Sequence, residues 1–449
     1  MSQINLQRLC TIVTWKLDVN AHNPNGLYPF FTCARESYNI DVFAFEWESV
    51  LVAWNGDLNV KYYNWKFNAY QRTYVLQDFV YNGKYLYYAI SRNLEQLRSW
   101  SRGSTIKYIR LWDLENIPIP LVSLPHQTLI VDEIEKQLSR LESGLASLHK
   151  LQTLVKQYRA SVLSSAVSGK LVPQDPSDEH ASLLLERILE AKKEKRLAEN
   201  SGKKYKGPSP IDTSELGDLP DGWCWTTFWV ACDVYVWSTP SRSVWDYRWW
   251  SISWVSSWEV HFQDIYSTKE TITELWLNNS STTIHPIGTV LVWMIGEWKT
   301  RWQVARLKIA ACHNQNTAAI RMNQEFISSD YIYYYLSGKY ESLRSVWWWW
   351  NQKALNKWII ESISFPLPPL NEQHHIVAEV ERRLSVVEQL EQMIKDNIIR
   401  ANHLKQSLLH KAFSGKLIDY EDDPADIELL LTQIDQAKQT ALIKLQKRK

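Results

Sequence analysis

The residue types that usually carry catalysis occur in this chain, but not at catalytic spacings. There is no G-x-x-x-x-G-K-[ST] loop to cradle a triphosphate, and no G-x-G-x-x-G follows a strand-like run. The Asn-Pro-Pro-aromatic signature of amino-methylating enzymes is missing as well. His374 and His375 are adjacent, so on a helix they diverge and cannot chelate as an i,i+4 pair would. The five cysteines, Cys10, Cys33, Cys224, Cys232 and Cys312, include no C-x-x-C pair. An odd number without that motif favours reduced thiols in an intracellular chain over zinc or disulfides. Acidic residues fall mainly on helical stretches as solvated charge. What is left is the chemistry of recognition and assembly, with no cofactor expected in this chain.

The elements that would position such chemistry are announced by a duplication. SLPHQTLIVDEIEKQLSRLE, from Ser123, matches PLNEQHHIVAEVERRLSVVE, from Pro369, with a constant separation of 246 between Ile130 and Ile376 or Glu135 and Glu381. The same separation relates Ser168-Gly169-Lys170-Leu171 to Ser414-Gly415-Lys416-Leu417, and LENIPIPL to IESISFPL. A repeat this long without a gap means two copies of one supersecondary unit. In the first copy Ile130, Ile134, Leu138, Leu141 and Leu145 step by three and four; in the second, Ile376, Val380, Leu384, Val387 and Leu390 do so. That spacing predicts a narrow apolar seam on two long helices, which pair as an antiparallel coiled coil. A helix from His126 to Val167 would reach roughly 60 Å.

Net charge is +1 over 449 residues, which excludes a bulk polycation but not a local basic face. No run of eighteen apolar residues occurs, and the N-terminus lacks a long apolar stretch, so a cytoplasmic protein is expected. One feature of the composition is abnormal: 24 Trp against 14 Gly. Trp47, Trp54, Trp65, Trp258 and Trp298 stand where a turn would want Gly, and Gly103 faces Trp349 at the repeat separation. Either a subset of these positions is Gly in the parent protein, or the surface is Trp-rich by nature.

In chain order, residues 1–123 carry short β-branched and aromatic runs between turn signals, predicting a mostly β domain with a short helix near Asn93 to Ser99. Residues 124–200 form the first helical region, including a charged helix around Ala181 to Asn200; residues 201–222 read as a linker. The linker and the helix before it carry Lys192, Lys193, Lys195, Arg196, Lys203, Lys204 and Lys206, a run that either touches phosphates or is, as favoured, the solvated charge of a mobile linker. Residues 223–368 repeat the β-rich plan, SVLVAWNGD having its counterpart in TVLVWMIGE, and AYQRTYVL in HNQNTAAI. Residues 369–449 are the second helical region. The fold class is therefore α+β: two β-rich domains in tandem, each followed by a long helix.

The helix with its preceding Phe365-Pro-Leu-Pro-Pro-Leu-Asn-Glu-Gln373, the SGKL stops at Ser168 and Ser414, and LPDGWCW at Leu219 resemble the specificity subunit of type I restriction–modification enzymes. STPSRS, YRWWSISWVSSWEV and NQKALNK resemble that family's second target-recognition domain, with Trp at several family Gly positions. The resemblance spans nearly the whole chain and is weakest before Ser49. It implies a non-catalytic reader of a split DNA target, with two target-recognition domains spaced by the helices. It further implies two modification subunits that carry S-adenosylmethionine, and endonuclease subunits that use ATP and Mg.

Phosphates call for Lys or Arg, and base edges for Arg, Asn, Gln or Lys. In the first domain the candidates are Lys61, Lys66 and Arg72, then Arg102, Ser104 and Lys107. The second offers Ser241, Arg242, Lys299, Arg301 and Arg306, with Asn351, Gln352 and Lys353 in a loop whose lysine occupies the place of Lys107. Two other classes compete. One is a coiled-coil scaffold whose β-rich domains bind protein or carbohydrate. The other is a fused restriction–modification enzyme, which the missing motifs oppose.

Overall fold

Runs rich in Val, Tyr and Phe between Asn/Gly turns fold as short strands, because branched and aromatic side chains pack well on a half-buried pleated surface. The computed structural model describes residues 2–103, 107–198, 211–214, 216–237, 248–296, 300–348 and 354–447. The first domain runs β1 (Gln3–Asn5), α1 (Leu6–Leu9), β2 (Thr11–Val13), β3 (Tyr28–Phe31), β4 (Tyr38–Ile40), β5 (Ser49–Ala53), β6 (Val60–Tyr63), β7 (Asn68–Ala69) and β8 (Thr73–Gln77). It continues through α2 (Gly83–Arg92), α3 (Leu94–Trp100), α4 (Leu111–Glu115) and β9 (Pro118–Pro120). The long helix α5 (Leu124–Val167) and the shorter α6 (Ala181–Ala198) follow.

The second domain repeats the plan. It contains β10 (Cys224–Thr227), α7 (Phe228–Ala231), β11 (Asp233–Tyr235), β12 (Arg248–Val255), β13 (Gln263–Ile265), β14 (Glu270–Ile272), α8 (Glu274–Asn278), β15 (Val290–Trp293), β16 (Val304–Leu307), β17 (Cys312–His313) and β18 (Thr317–Arg321). Then come α9 (Ser329–Trp348), α10 (Lys357–Ser362) and β19 (Ser364–Leu367), and the chain ends in α11 (Leu370–Ala412) and α12 (Pro424–Lys447).

The sheets match one for one. The main sheet is β2-β8-β5-β6 in the first domain and β11-β18-β15-β16-β13 in the second; the smaller ones are β4-β3-β7 and β14-β12-β17. Register matches too: Val50 faces Tyr62 and Leu76, as Val290 faces Arg306 and Ile320. The expected counterparts SVLVAWNGD and TVLVWMIGE are thus β5 and β15 with the turns that follow them. The domains are β-rich, as expected, and each is built around one helix, α2 or α9, with Tyr85 and Tyr331 fully buried in their cores.

Two compact units result, Met1–Lys150 with Ile394–Lys449, and Leu151–Met393. In each, α5 and α11 run antiparallel. Glu142 meets Lys405 at 3.3 Å in the first unit, and Arg159 meets Glu391 at 3.1 Å in the second. The expected seam is only partly a helix-to-helix contact. Ile130 and Ile134 bury among domain residues such as Leu76, Tyr85 and Ile90 and beside Phe413, which follows α11. Ile376, Val380 and Leu384 bury among Tyr331, Phe365 and Val162. Val387 is buried, Leu138, Leu141 and Leu145 are half-buried, and Leu390 is exposed. The stripe is continuous in sequence, but its N-terminal part is covered by the β-rich domain.

Candidate nucleic-acid interface

The same two attachments hold each domain to its long helix. Gln127 and Gln373, at equivalent places in the repeat, are fully buried near the start of α5 and α11. Gln127 donates to Val122 O (2.7 Å) and accepts from Asn82 N (2.9 Å), the N-cap of α2. Gln373 donates to Pro368 O (3.0 Å) and accepts from Ser328 N (2.8 Å), just before α9. Tyr85 and Tyr331 donate hydroxyl bonds to Pro120 O and Pro366 O. A buried amide left unbonded is costly, so these bonds fix where each domain sits on its helix. The glutamines were visible in the repeat, but nothing in their spacing showed what they would bind.

At the far edge of the main sheet, the turn after β5 meets the loop before α4. Ile109 N donates to Trp54 O (2.9 Å), Gly56 N to Lys107 O (2.9 Å), and Arg102 and Tyr108 exchange backbone bonds of 2.9 Å. Arg102 and Lys107 are thereby brought together, both exposed. Beside them Asp57 pairs with Arg35 (2.9 Å) and Arg98 (3.6 Å), and those guanidiniums, Arg35 foremost, hold its carboxyl below the usual range. Arg35 and Arg98 had not stood out in the sequence, because their carboxylate partner is remote from both in the chain. The second domain repeats the arrangement: Leu355 N donates to Met294 O (2.9 Å), joining the turn after β15 to the chain before α10. Arg301 lies in that turn, its guanidinium on Gly296 O at 3.3 Å.

The other candidates divide. Arg72 is half-buried beside the first edge, and Lys66 lies over the Phe43 ring, 3.4 Å from Glu46. Ser104, Ser241, Arg242, Lys299, Asn351, Gln352 and Lys353 lie outside the described residues, as do Trp298, Trp349 and Trp350. Two candidates turn out to be internal. Lys61 donates to Thr32 O (3.1 Å), Ala34 O (2.6 Å) and Asn59 Oδ1 (2.7 Å), and burial lowers its pKa. All three of its N–H groups therefore hold a loop. Arg306 is 5 % exposed, with forked bonds to Asp264 (2.7 and 2.8 Å), a further pair with Asp330, and Tyr333 against its face at 5.0 Å. Burial opposes its charge, but Asp264 and Asp330 outweigh burial and raise its pKa. It joins β16, β13 and α9.

Among the described residues no group of three or more His, Cys, Asp or Glu could hold a metal ion. All five cysteines are free thiols, and no described helix is long and apolar enough to cross a membrane. Trp47, Trp65 and Trp258 are exposed, while Trp54 stacks on Tyr74 at 5.9 Å.

A model of the type I restriction modification DNA specificity domain matches residues 3–152 and again 241–399. The chain is 29% identical over 425 residues to the type I restriction enzyme EcoDI specificity subunit of Escherichia coli, covering 92% of this chain and 88% of that protein. Against the EcoBI specificity subunit of the same species, identity is 23% over 351 residues, with 76% and 67% covered. The fold is shared with a solved chain of a type I R-M system, at TM-score 0.66 and 15% identity over 92% of this chain and 98% of that one. It is shared too with the HsdS subunit of Thermoanaerobacter tengcongensis, at TM-score 0.51 and 16% identity over 92% and 97%. With the specificity-domain model matched on both recognition domains, the chain belongs to the family of type I restriction–modification DNA specificity subunits.

Proposed function

We propose that this chain reads a split DNA target, each domain taking one half through the edge built from its β5–β6 or β15–β16 turn and the loop before α4 or α10. The observation that carries this reading is the recurrence of that edge, with Arg102 and Lys107 in one domain and Arg301 in the other. Such cations meet phosphates, and the neighbouring loops supply base contacts. Two modification subunits pack on the helical frame and bring S-adenosylmethionine; endonuclease subunits bring ATP and Mg. The complex works in the cytoplasm, where its DNA is.

The test is a fluorescence-anisotropy titration of split-target duplexes with the full chain, alone and with modification subunits, across salt. Affinity should fall linearly in log–log form with salt and sharpen for one target when partners are added. Binding that ignores both salt and sequence would refute the reading. So would tight S-adenosylmethionine binding by this chain alone in calorimetry.

A further inference from the structure

Each recognition domain has a second attachment, at its beginning, and it is also duplicated. Ala181, Leu184 and Ile188 of α6 bury in the second unit, and Leu430 and Ile434 of α12 bury in the first. Lys192 and Lys438 follow at the same place in the repeat, again 246 apart. Lys192 Nζ donates to Trp229 O (2.7 Å) and Cys232 O (2.6 Å), and lies 3.6 Å from Asp233. Lys438 Nζ donates to Gln7 O. Gln7 lies in α1 as Trp229 lies in α7, and these two four-residue helices lead into the equivalent strands β2 and β11. An ion pair from a neighbouring residue supports each contact: Arg8–Asp435 at 3.0 Å and Lys195–Asp233 at 2.8 Å. Crevices of 210 and 250 Å³ open beside the two lysines, lined in part by Cys10 and Asp78 in one unit and by Cys232 and Arg321 in the other.

The lysine bonds carbonyls in the last turn of a helix too short to satisfy them itself, a recognised way to close a helix end. What it closes is the start of an outer strand of the recognition sheet. The buried glutamine fixes the other side of the domain to its long helix. A body held at one point can swing; held at two, it keeps one attitude. We propose that Lys192 and Lys438 are positioning residues that set the attitude of the two recognition domains and so restrict the spacer accepted between the half-sites. This rests on the split-target reading above. It makes the last helix of the chain the latch of its first domain, as α6 is the latch of its second.

The experiment uses the full chain with its modification subunits, and a DNA library with fixed half-sites and randomised spacer length. The unaltered complex should methylate one spacer best. Lys438→Met and Lys192→Met keep side-chain length but remove the donors, leaving the carbonyls to water in the crevice. Each should lower methylation at the best spacer roughly three- to tenfold, the worth of one or two hydrogen bonds. Neighbouring spacers should gain, the half-site words should stay the same, and Lys→Arg should restore the narrow profile. An unchanged profile overturns the proposal. An equal loss at all spacers also overturns it, since that is what a merely structural role predicts. If the unaltered complex ignores the spacer altogether, the split-target reading falls as well.

A separate observation concerns Trp302. It is 1 % exposed, its backbone sits at φ 70°, and its indole N–H has no partner among the described residues. A positive φ is strained for a bulky side chain and free for Gly, and a buried unpaired donor adds to the cost. Seven Gly among the described residues, Gly103 among them, hold positive φ, and Gly103 faces Trp349 in the repeat. From this strain and the 24 Trp against 14 Gly we infer that a subset of Trp positions, Trp302 first, is occupied by Gly in the protein as its own cell makes it. Mass spectrometry of the protein isolated from that cell reads the answer in the tryptic peptide Trp302–Arg306. Gly at its first position is expected; Trp there overturns the inference.

Discussion

At one junction between sheet, domain helix and long helix, the two units use opposite charges. In the first, Lys84 of α2 pairs with Glu135 of α5 at 2.8 Å, and Tyr62 of β6 donates to Glu48 at 2.7 Å. In the second, Asp330 stands at the place of Lys84 and Arg306 at that of Tyr62; Arg306 binds Asp330 and Asp264 and approaches Glu381, the counterpart of Glu135, at 3.9 Å. The frame residues Gln127 and Gln373, by contrast, make the same bonds in both. Helix attachment is thus specified by identical side chains, while each domain knits its sheet to that frame with its own charges. The first junction is half-exposed and the second is buried, so their energies differ.

The comparison breaks most visibly at Arg306. Replacing it by Met leaves Asp264 and Asp330 unneutralised, and should cost about 3–5 kcal/mol of stability in denaturant unfolding. Lys84→Met removes a bridge whose side chains are about 40 % exposed, and should cost less than about 1 kcal/mol. Equal losses would show that burial does not separate the junctions.

Acid should then separate the domains. His285 and His313 lie 5.0 Å apart in the second domain, both buried, with Tyr235, Arg321 and Cys312 nearby. Burial, helped by His313 and Arg321, depresses His285 to about 3, and burial depresses His313 to about 4 against its bonds to Asn314 O and Thr317 Oγ1. Because the folded pKa values lie below the ordinary 6.5, the unfolded chain takes up protons first. Stability is complete above pH 6.5 and is lost as pH falls toward 4 and 3. At pH 5 each imidazole should cost about 2 kcal/mol. Among described residues the first domain has no fully buried histidine. Hydrogen exchange at pH 5 should therefore quicken in β17 and β18 and stay slow in β8; the reverse order would contradict the assignment.

Gln127→Ala and Gln373→Ala should destabilise their units alike, by about 1–3 kcal/mol each, since each strips a buried carbonyl and a part-buried N–H of their partner. Unequal losses in thermal unfolding would mean that the frame is not truly repeated. The smallest effect is expected at Gly144, inside α5, where an added Cβ meets nothing within 4 Å. Its counterpart in α11 is Leu390. Gly144→Ala should stabilise by about 0.5–1 kcal/mol, the usual helix penalty of glycine, with no change in assembly.

Several parts of this architecture were legible in the residues alone. Ile130 to Leu145 and Ile376 to Leu390 announced helices because a spacing of three and four has no other regular backbone, and the separation of 246 announced two equivalent units. β5 and β15 could be matched by their apolar runs. The sequence does not show that DYIYYYL becomes helix α9, since its aromatic run suits a strand equally well; burial beside α11 and the bond from Ser328 to Gln373 decide it. Nor does it separate Arg102 from Arg306. A guanidinium binds whatever anion it meets, and whether that anion is a phosphate outside or Asp264 inside depends on strands that pack only once the chain has folded. Lys192, inside a charged run, and Lys438, between Ala437 and Gln439, were hidden for the same reason: their partners are backbone carbonyls, which every residue carries and only the tertiary structure delivers.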